Sequence, residues 1–527
     1  LRTVLKLADG RDFVGAAALA EKTLADGFEH PMLLNVAATR LEQQGKYEEA
    51  LQLLKRAVAI APNDVGARHA LGLCLQRLDR PAEAIQTVDE LLRQHADLPF
   101  AHASKGNALM ALGSLGRAQQ SHLRALELEP GNFSATTALA SIATHRGQHE
   151  EARQWAQRAL KIVPGYPDAV LCLAAADLAG GELASAEKLL RPLIVDSRAG
   201  PSDRARATGL LADVLDAGGR YDEAFQAYSA CNQALRQIHQ RFASSNILGY
   251  TRALTAAMEK MDSHKRIVSA PETGSAVAAG HAFLLGFPRT GTTLIEVVLD
   301  GNPRLVSLEE HELLTDGVLA YMREPVNFDA LARADETALN SLREAYWRRV
   351  RGAGVDVSGK LFVDKHPLNS LKLPLIVKLF PHAKILFAVR DPRDVLLSCF
   401  RRRFQMNPAM YEFLTVPGAA AFYAAVMEFA HTVKDTLAFQ WHEVRYERLI
   451  SDFENEMRGI CKYLELDWME SMGDFAHRVQ AREHATPSTA QLSRGLLTSA
   501  TAQWRHYESQ LAAALPALKP WIECLRY

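Results

Sequence analysis

The sequence predicts two differently built halves: an all-α array of stacked helix pairs, then an α/β domain around a parallel sheet. Three observations carry this. Alanine recurs at Ala16, Ala50, Ala84, Ala118, Ala152 and Ala186, always 34 residues apart. The stretch from His281 to Gly301 reads as a short apolar strand, a glycine-bounded turn and a helix with apolar spacing. Beyond it strand-like and helix-like pieces alternate, the order of strands joined by crossover helices. At 527 residues the chain is also too long for one ordinary domain.

In the first half the period explains the residue choices. Glycine recurs at Gly45, Gly113, Gly147 and Gly181, with Asp79 in the missing place. Proline recurs at Pro62, Pro130 and Pro164, with Ala96 in its missing place. A further unit, shifted by four residues, carries Gly219 and Ala224 after an insert around Arg198 to Asp203. A single helix pair cannot bury its apolar face, so neighbours must stack, and alanine at the crossing lets the backbones approach. Glycine ends the first helix of each pair, and proline opens the next unit. The period and the segments Gly45 to Ala50 and Gly219 to Ala224 resemble the tetratricopeptide repeat. That resemblance implies a superhelix whose concave groove suits an extended peptide or a partner protein; the alternative is an array that only scaffolds or dimerises the second half. Repeat arrays often pair, so a homodimer is among the expectations.

The array is expected over 1–240. A capping helix from Arg241 to Met261 and a linker from Ser269 to Gly280 fill 241–280, and the second domain occupies 281–527. A formal net charge of −1 gives no argument for nucleic acid or a membrane surface as partner. The six cysteines show no CxxC or metal-ligand spacing, so buried, reduced thiols are expected and no metal is. No apolar run approaches a bilayer span and no signal peptide is recognisable, so a cytoplasmic protein is expected. The chain begins on Leu1 within a repeat, which leaves an upstream targeting segment open.

The second half carries the chemistry. Ala282 to Leu285 reads as a buried strand, Gly286 to Gly291 as a tight turn and Thr292 to Leu299 as a helix. Backbone N–H groups and the positive end of a helix dipole then converge on one spot, an anion cradle. The Gly286-x4-Gly291 spacing is that of a nucleotide-binding loop, but Thr292 stands where such a loop has its lysine, and the turn's cation is Arg289. The cradle suits a compact phosphate better than a magnesium-bound triphosphate. Further strands are expected at Leu361 to Asp364, Lys384 to Val389 and Glu443 to Tyr446, with helices at Leu368 to Leu379, Val395 to Phe404 and Phe453 to Leu464. Ligands of such sheets sit at the carboxyl ends of the strands, which singles out Arg289, Lys365, Arg390 and Tyr446. Arg390 at a strand tip and Ser398 two helical turns on can grip a second phosphate. Arg393 and the run Arg401 to Arg403 read as a solvated face.

Phe287 to Thr293 resembles the 5′-phosphate loop of sulfotransferases that use 3′-phosphoadenosine-5′-phosphosulfate (PAPS), and Val389 to Asp394 with Ser398 resembles their 3′-phosphate motif. Asp300 to Pro303, Leu308 to Glu310, Lys365 with Pro367, and Arg445 to Leu449 are similar to segments of the tyrosylprotein branch. The resemblance spans roughly 281–510. It implies a P-loop-like α/β sulfotransferase domain that moves a sulfuryl group from PAPS to a hydroxyl, a protein tyrosine foremost, leaving 3′,5′-ADP with no metal. Arg289, Thr290, Gly291, Thr292 and Thr293 would hold the 5′-phosphate, and Arg390 with Ser398 the 3′-phosphate. Tyr446 and Thr489 fall at further cofactor contacts, while Arg289 and Lys365 would stabilise charge on the transferring group. The expected base is Glu310; His366 is its rival, since small-molecule sulfotransferases place a histidine just after a strand-end lysine, and His311 is a third candidate. Thr486 to Gln491 resembles the lid of the site. Gln503 stands where tyrosylprotein enzymes have a lysine, and Arg505 is the candidate to replace it. The competing readings are a tetratricopeptide interaction scaffold with a non-catalytic nucleotide domain, a sulfotransferase for carbohydrates or small phenols, and an ATP-dependent kinase, against which Thr292 speaks.

Overall fold

The alanines of the 34-residue period mark the helix crossings. Ala16, Ala50, Ala84, Ala118, Ala152 and Ala186 are all buried, as small residues must be where two helix backbones approach. The computed structural model describes residues 1–10, 12–261, 277–476, 478, 495 and 501–527. The chain divides into two compact units, one spanning Leu1–Ala186 and the other running from Glu187 onward.

The first unit is a succession of antiparallel helix pairs, for example Pro31–Gln43 with Tyr47–Ile60 and Phe133–His145 with His149–Ile162. Gly45, Gly113, Gly147 and Gly181 take left-handed backbone between the helices of a pair, and Asp79 adopts φ 56° in the place where the glycine is missing. The turn geometry therefore persists without its preferred residue, at a modest conformational cost. His122, on the helix Leu115–Leu128, is fully buried, and neither ring nitrogen has a hydrogen-bond partner among the described residues. Its ring occupies the space that a side chain on Gly106 would need, with Nε2 only 2.4 Å from where a Cβ would lie.

The second unit begins with helices and ends with the sheet domain. Helices α1 (Pro201–Ala217) and α2 (Tyr221–Ile238) are each about a turn longer than the preceding helices. They belong with the α/β part rather than with the array, so the division lies ahead of the boundary expected near residue 240. The reason is a set of polar contacts: Arg401 Nη1 donates to Asp216 at 3.1 Å, Arg403 to Asp213 at 2.5 Å, and Asn232 to the Phe400 carbonyl at 2.9 Å. The Tyr507 hydroxyl also donates to Asp216, and Phe225 stacks on Phe400. The run Arg401 to Arg403, expected on a solvated face, is thus half-buried, with Arg401 and Arg403 paired to acids on α1. A helix at Ile247–Glu259 follows, within the stretch expected to cap the array.

The sheet has five parallel strands in the order β2–β3–β1–β4–β5. These are β1 (Gly280–Gly286), β2 (Leu305–Glu309), β3 (Leu361–Lys365), β4 (Lys384–Val389) and β5 (Gln440–Arg445). Helix α3 (Thr292–Leu299) follows β1, and α4 (Pro392–Arg401) follows β4. One face of the sheet packs Leu284, Val363 and Leu386 against α3 and the helix Phe453–Leu464. The other gathers Phe283, Phe362 and Phe380 around His281 and Tyr346. Because β2 and β3 lie to one side of β1, and β4 and β5 to the other, the chain changes direction across the sheet beside β1. Such a switch point opens a crevice at the strands' carboxyl ends.

Burial lowers the His122 imidazole to about 4, from an ordinary 6.5. The unfolded chain therefore takes up a proton between pH 6.5 and 4 that the folded array refuses, and stability drops as pH falls through that window. The loss should reach roughly 3 kcal/mol near pH 4. In melting curves recorded from pH 7 to 4.5, His122→Leu should flatten this dependence.

Candidate active site

Each strand delivers a candidate residue at its carboxyl end: Arg289 after β1, Glu309 at the end of β2 with Glu310 just past it, Lys365 on β3, Arg390 after β4 and Tyr446 after β5. The turn after β1 is built so that side chains stay out of it. Gly286 has φ 149°, and a Cβ there would lie 2.6 Å from the Ala388 carbonyl oxygen. Phe287 anchors the turn among Phe413, Phe422 and Tyr423. The Thr290 hydroxyl donates to the Phe287 carbonyl at 2.7 Å, so it closes the turn. Arg289 (φ 72°) and Gly291 (φ 98°) both adopt left-handed backbone, a geometry that turns successive N–H groups toward one side. At Gly291 a Cβ would lie 2.5 Å from the Tyr446 ring. Thr292 and Thr293 then open α3, whose first N–H groups have no acceptor within the helix.

Arg289 joins the turn to the second motif. Its Nε donates to the Ser398 hydroxyl at 2.9 Å, and its carbonyl accepts from Arg390 Nη1 at 3.1 Å. The Arg390 guanidinium lies 4.6 Å from the centre of the Tyr446 ring. Burial pushes the Arg289 guanidinium down to about 9, with Arg402 and Arg390 adding to the effect; Arg402 is lowered too, again chiefly by burial. Three arginines thus crowd one partly desolvated place beside the amides of a helix N-terminus, the electrostatic setting for a polyanion.

Lys365 is fully buried, at 0% exposure, among three carboxylates. Its ammonium donates to Glu309 at 2.5 Å and to Glu310 at 3.0 Å, and lies 3.5 Å from Glu296. Burial by itself would lower the Lys365 ammonium, but the carboxylates, Glu296 first, raise it above its ordinary value. Glu310 has φ 51°, and its N–H donates to the Lys365 carbonyl at 2.7 Å. His366 Nε2 lies 3.4 Å from Glu312, which Lys372 also binds, at 2.5 Å. The hydrogen bond to His366 is the main reason the Glu312 carboxyl falls to about 2.

The C-terminal segment is fastened to α4. Asp394 accepts from the N–H groups of Ala502 at 2.7 Å and Trp504 at 2.9 Å, and Arg393 stacks on the Trp504 ring. Arg393 is therefore engaged rather than solvated. Gln503 accepts from Arg401, and Arg505 is exposed against Trp504. Thr489 and the segment Thr486 to Gln491 lie outside the described residues. The structure thus brings Arg289, Arg390, Ser398, Gly291 and Tyr446 together, and Lys365 with Glu310, whereas among the described residues the Arg505 side chain lies against Trp504.

Four groups at the site were not singled out in the sequence. Glu309 is closer to Lys365 than Glu310 is; Glu296, Glu312 and Arg402 were passed over. Glu296 had a signal, a lone carboxylate in the apolar run Leu294 to Leu299. Glu312 and Arg402 had none, because only folding brings them to His366 and Arg289.

The architecture is an array of helix pairs and an α/β domain around a five-stranded parallel sheet. Residues 282–470 match the sulfotransferase family, and 5–65, 41–106 and 104–167 match tetratricopeptide repeats. An uncharacterised protein of Aquifex aeolicus is 24% identical over 94% of this chain and 66% of its own length. Protein-tyrosine sulfotransferase 1 of Danio rerio is 26% identical over 36% of this chain and 54% of its own length. The chain therefore spans less than two thirds of either relative. The sulfotransferase domain of the Synechococcus PCC 7002 olefin synthase is a solved structure matched at 21% identity, TM-score 0.33, over 44% of this chain and 90% of that one.

Gly291→Ala should destabilise the protein by roughly 1–3 kcal/mol, since it combines strained backbone with a clash against Tyr446. Adding Tyr446→Ala should recover part of the loss in a double-mutant cycle of melting temperatures.

Proposed function

We propose that the domain transfers the sulfuryl group of PAPS to a hydroxyl acceptor, with a protein tyrosine as the first candidate. The observation that carries this reading is the linkage through Arg289, which joins the glycine turn to Ser398 and Arg390. A ligand with two anionic ends would meet both motifs on one continuous surface. When bound, PAPS supplies an activated sulfuryl group whose transfer leaves 3′,5′-ADP. The turn from Arg289 to Thr293 would hold the 5′-phosphate through its amides and the hydroxyls of Thr292 and Thr293, and Arg390 with Ser398 the 3′-phosphate. Tyr446 walls the turn and supports Arg390. Arg289 and Lys365 place positive charge where it would be needed as the donor's bridging oxygen gains negative charge.

Glu310 is the proposed proton acceptor. A phenol with an unperturbed pKa of about 10 gives up its proton to a carboxylate only if the site is dry and the contact close. One observation favours His366 as a second reading: Nε2 faces Glu312, whereas Nδ1 is buried without a hydrogen-bond partner among the described residues. An imidazole held that way keeps one nitrogen open to accept a proton. The repeats mediate protein–protein interaction, and the reading extends this to recruitment of a protein acceptor, in keeping with the protein-tyrosine sulfotransferases among the relatives.

Titrating 3′,5′-ADP into a thermal-shift assay should stabilise the protein by about 2.7 kcal/mol at a hundredfold excess over Kd. Mg-ATP alone should not; the reverse pattern would point to a kinase, and no shift with either to a scaffold. With labelled PAPS and a cell lysate, Glu310→Gln should cut transfer by at least about 100-fold and His366→Ala by much less. Normal turnover in Glu310→Gln would remove it as the base. Protease sensitivity of the labelled product, as against glycosidase sensitivity, identifies the acceptor class.

A further inference from the structure

Glu296 is a carboxylate buried to 2% exposure in a helix whose other inward residues, Leu294, Ile295, Val298 and Leu299, are apolar core. Burying a charge there is costly unless both oxygens are engaged. Here Oε1 accepts from the Ser307 hydroxyl at 2.9 Å, and Oε2 is ion-paired rather than hydrogen-bonded, 3.5 Å from the Lys365 ammonium. The side chain is thus a strut between α3, the helix that starts at the glycine turn, and the ends of β2 and β3.

The other two partners of Lys365 differ in kind. Glu309 is 20% exposed and Glu310 54%, both on or just past the edge strand β2. They can give up the ammonium to an incoming anion, or bind a proton, without leaving a charge stranded in the core. Glu296 cannot. Lysine is a point charge on a flexible four-carbon stem, so it needs a fixed counter-charge to keep its place when its exposed partners exchange.

Resting on the reading of the domain as a PAPS-dependent transferase, we propose that Glu296 is the positioning residue for Lys365. It pins the ammonium beside the turn's helix through the reaction, while Glu309 and Glu310 act as its exchangeable partners. Glu296 touches neither donor nor acceptor in this account and acts only through Lys365.

The test uses the full chain with Glu296→Gln, which keeps the shape and the Ser307 hydrogen bond but removes the charge. We expect kcat to fall at least tenfold, 3′,5′-ADP affinity to stay within twofold, and the alkaline limb of the pH–rate profile to move to lower pH. That nucleotide lacks the transferring group, so it reports on the turn and not on Lys365. An unchanged kcat and alkaline limb overturns the proposal. A parallel loss of nucleotide affinity also overturns it, because Glu296 would then only support the fold of the turn. Ser307→Ala, which keeps the charge but loosens it, should give a weaker version of the same kcat-specific loss and serves if the glutamine variant does not fold. If the unaltered protein transfers nothing from PAPS, the reading of the domain falls first. An NMR pH titration of the Lys365 side chain in the full chain then decides the inference by itself. The ammonium should lose its proton at lower pH in Glu296→Gln, and an unchanged titration would refute it.

Discussion

One residue holds the candidate site together. Arg289 sits in left-handed backbone in the middle of the glycine turn, spends its guanidinium on Ser398 and offers its carbonyl to Arg390. The turn belongs to the end of β1, and Ser398 and Arg390 to the helix and loop after β4. Two motifs from separate crossovers are thereby set in one register. Without that contact each would be a common feature of an α/β sheet. Glycine before and after the turn, the hydroxyl of Thr290 turned back on Phe287 and the ring of Tyr446 against Gly291 all constrain the same short piece of backbone.

Around this centre the second unit reinforces the helix that carries Ser398. The far end of α4 is clamped by Asp213 and Asp216 on α1, and Asp394, one turn before Ser398, holds the C-terminal segment by two backbone N–H groups. Helices with the outward character of a repeat are thus part of the unit that holds the sheet. The pairs before residue 187 form the other unit.

The buried charges divide by what they contact. Lys365 and its three carboxylates lie on the face of the sheet that packs α3. The adjacent Asp364 faces the other way, accepts a hydrogen bond from Tyr346 at 3.0 Å and is pushed up to about 6 by burial. Neighbours in the chain therefore serve opposite layers, one the site and one the core, because side chains alternate along a strand.

The sequence alone was enough for whatever depends on local period or spacing: the repeat and its buried alanines, the turn between β1 and α3, the strand Lys384–Val389, and the placing of Arg289, Lys365, Arg390 and Tyr446 at strand ends. Strand β2 escaped because it is short, half-exposed and interrupted by Ser307, so it shows neither a buried run nor a clean alternation. Tertiary structure alone decided that Arg401 and Arg403 are clamps and not a solvated face, that Glu309 and Glu296 share Lys365 with Glu310, and that Ser398 meets Arg289 across 109 residues of chain. The physical reason is range. Helix and turn signals are written in neighbouring residues, whereas the partner of a buried charge is chosen by whichever elements the sheet order brings beside it.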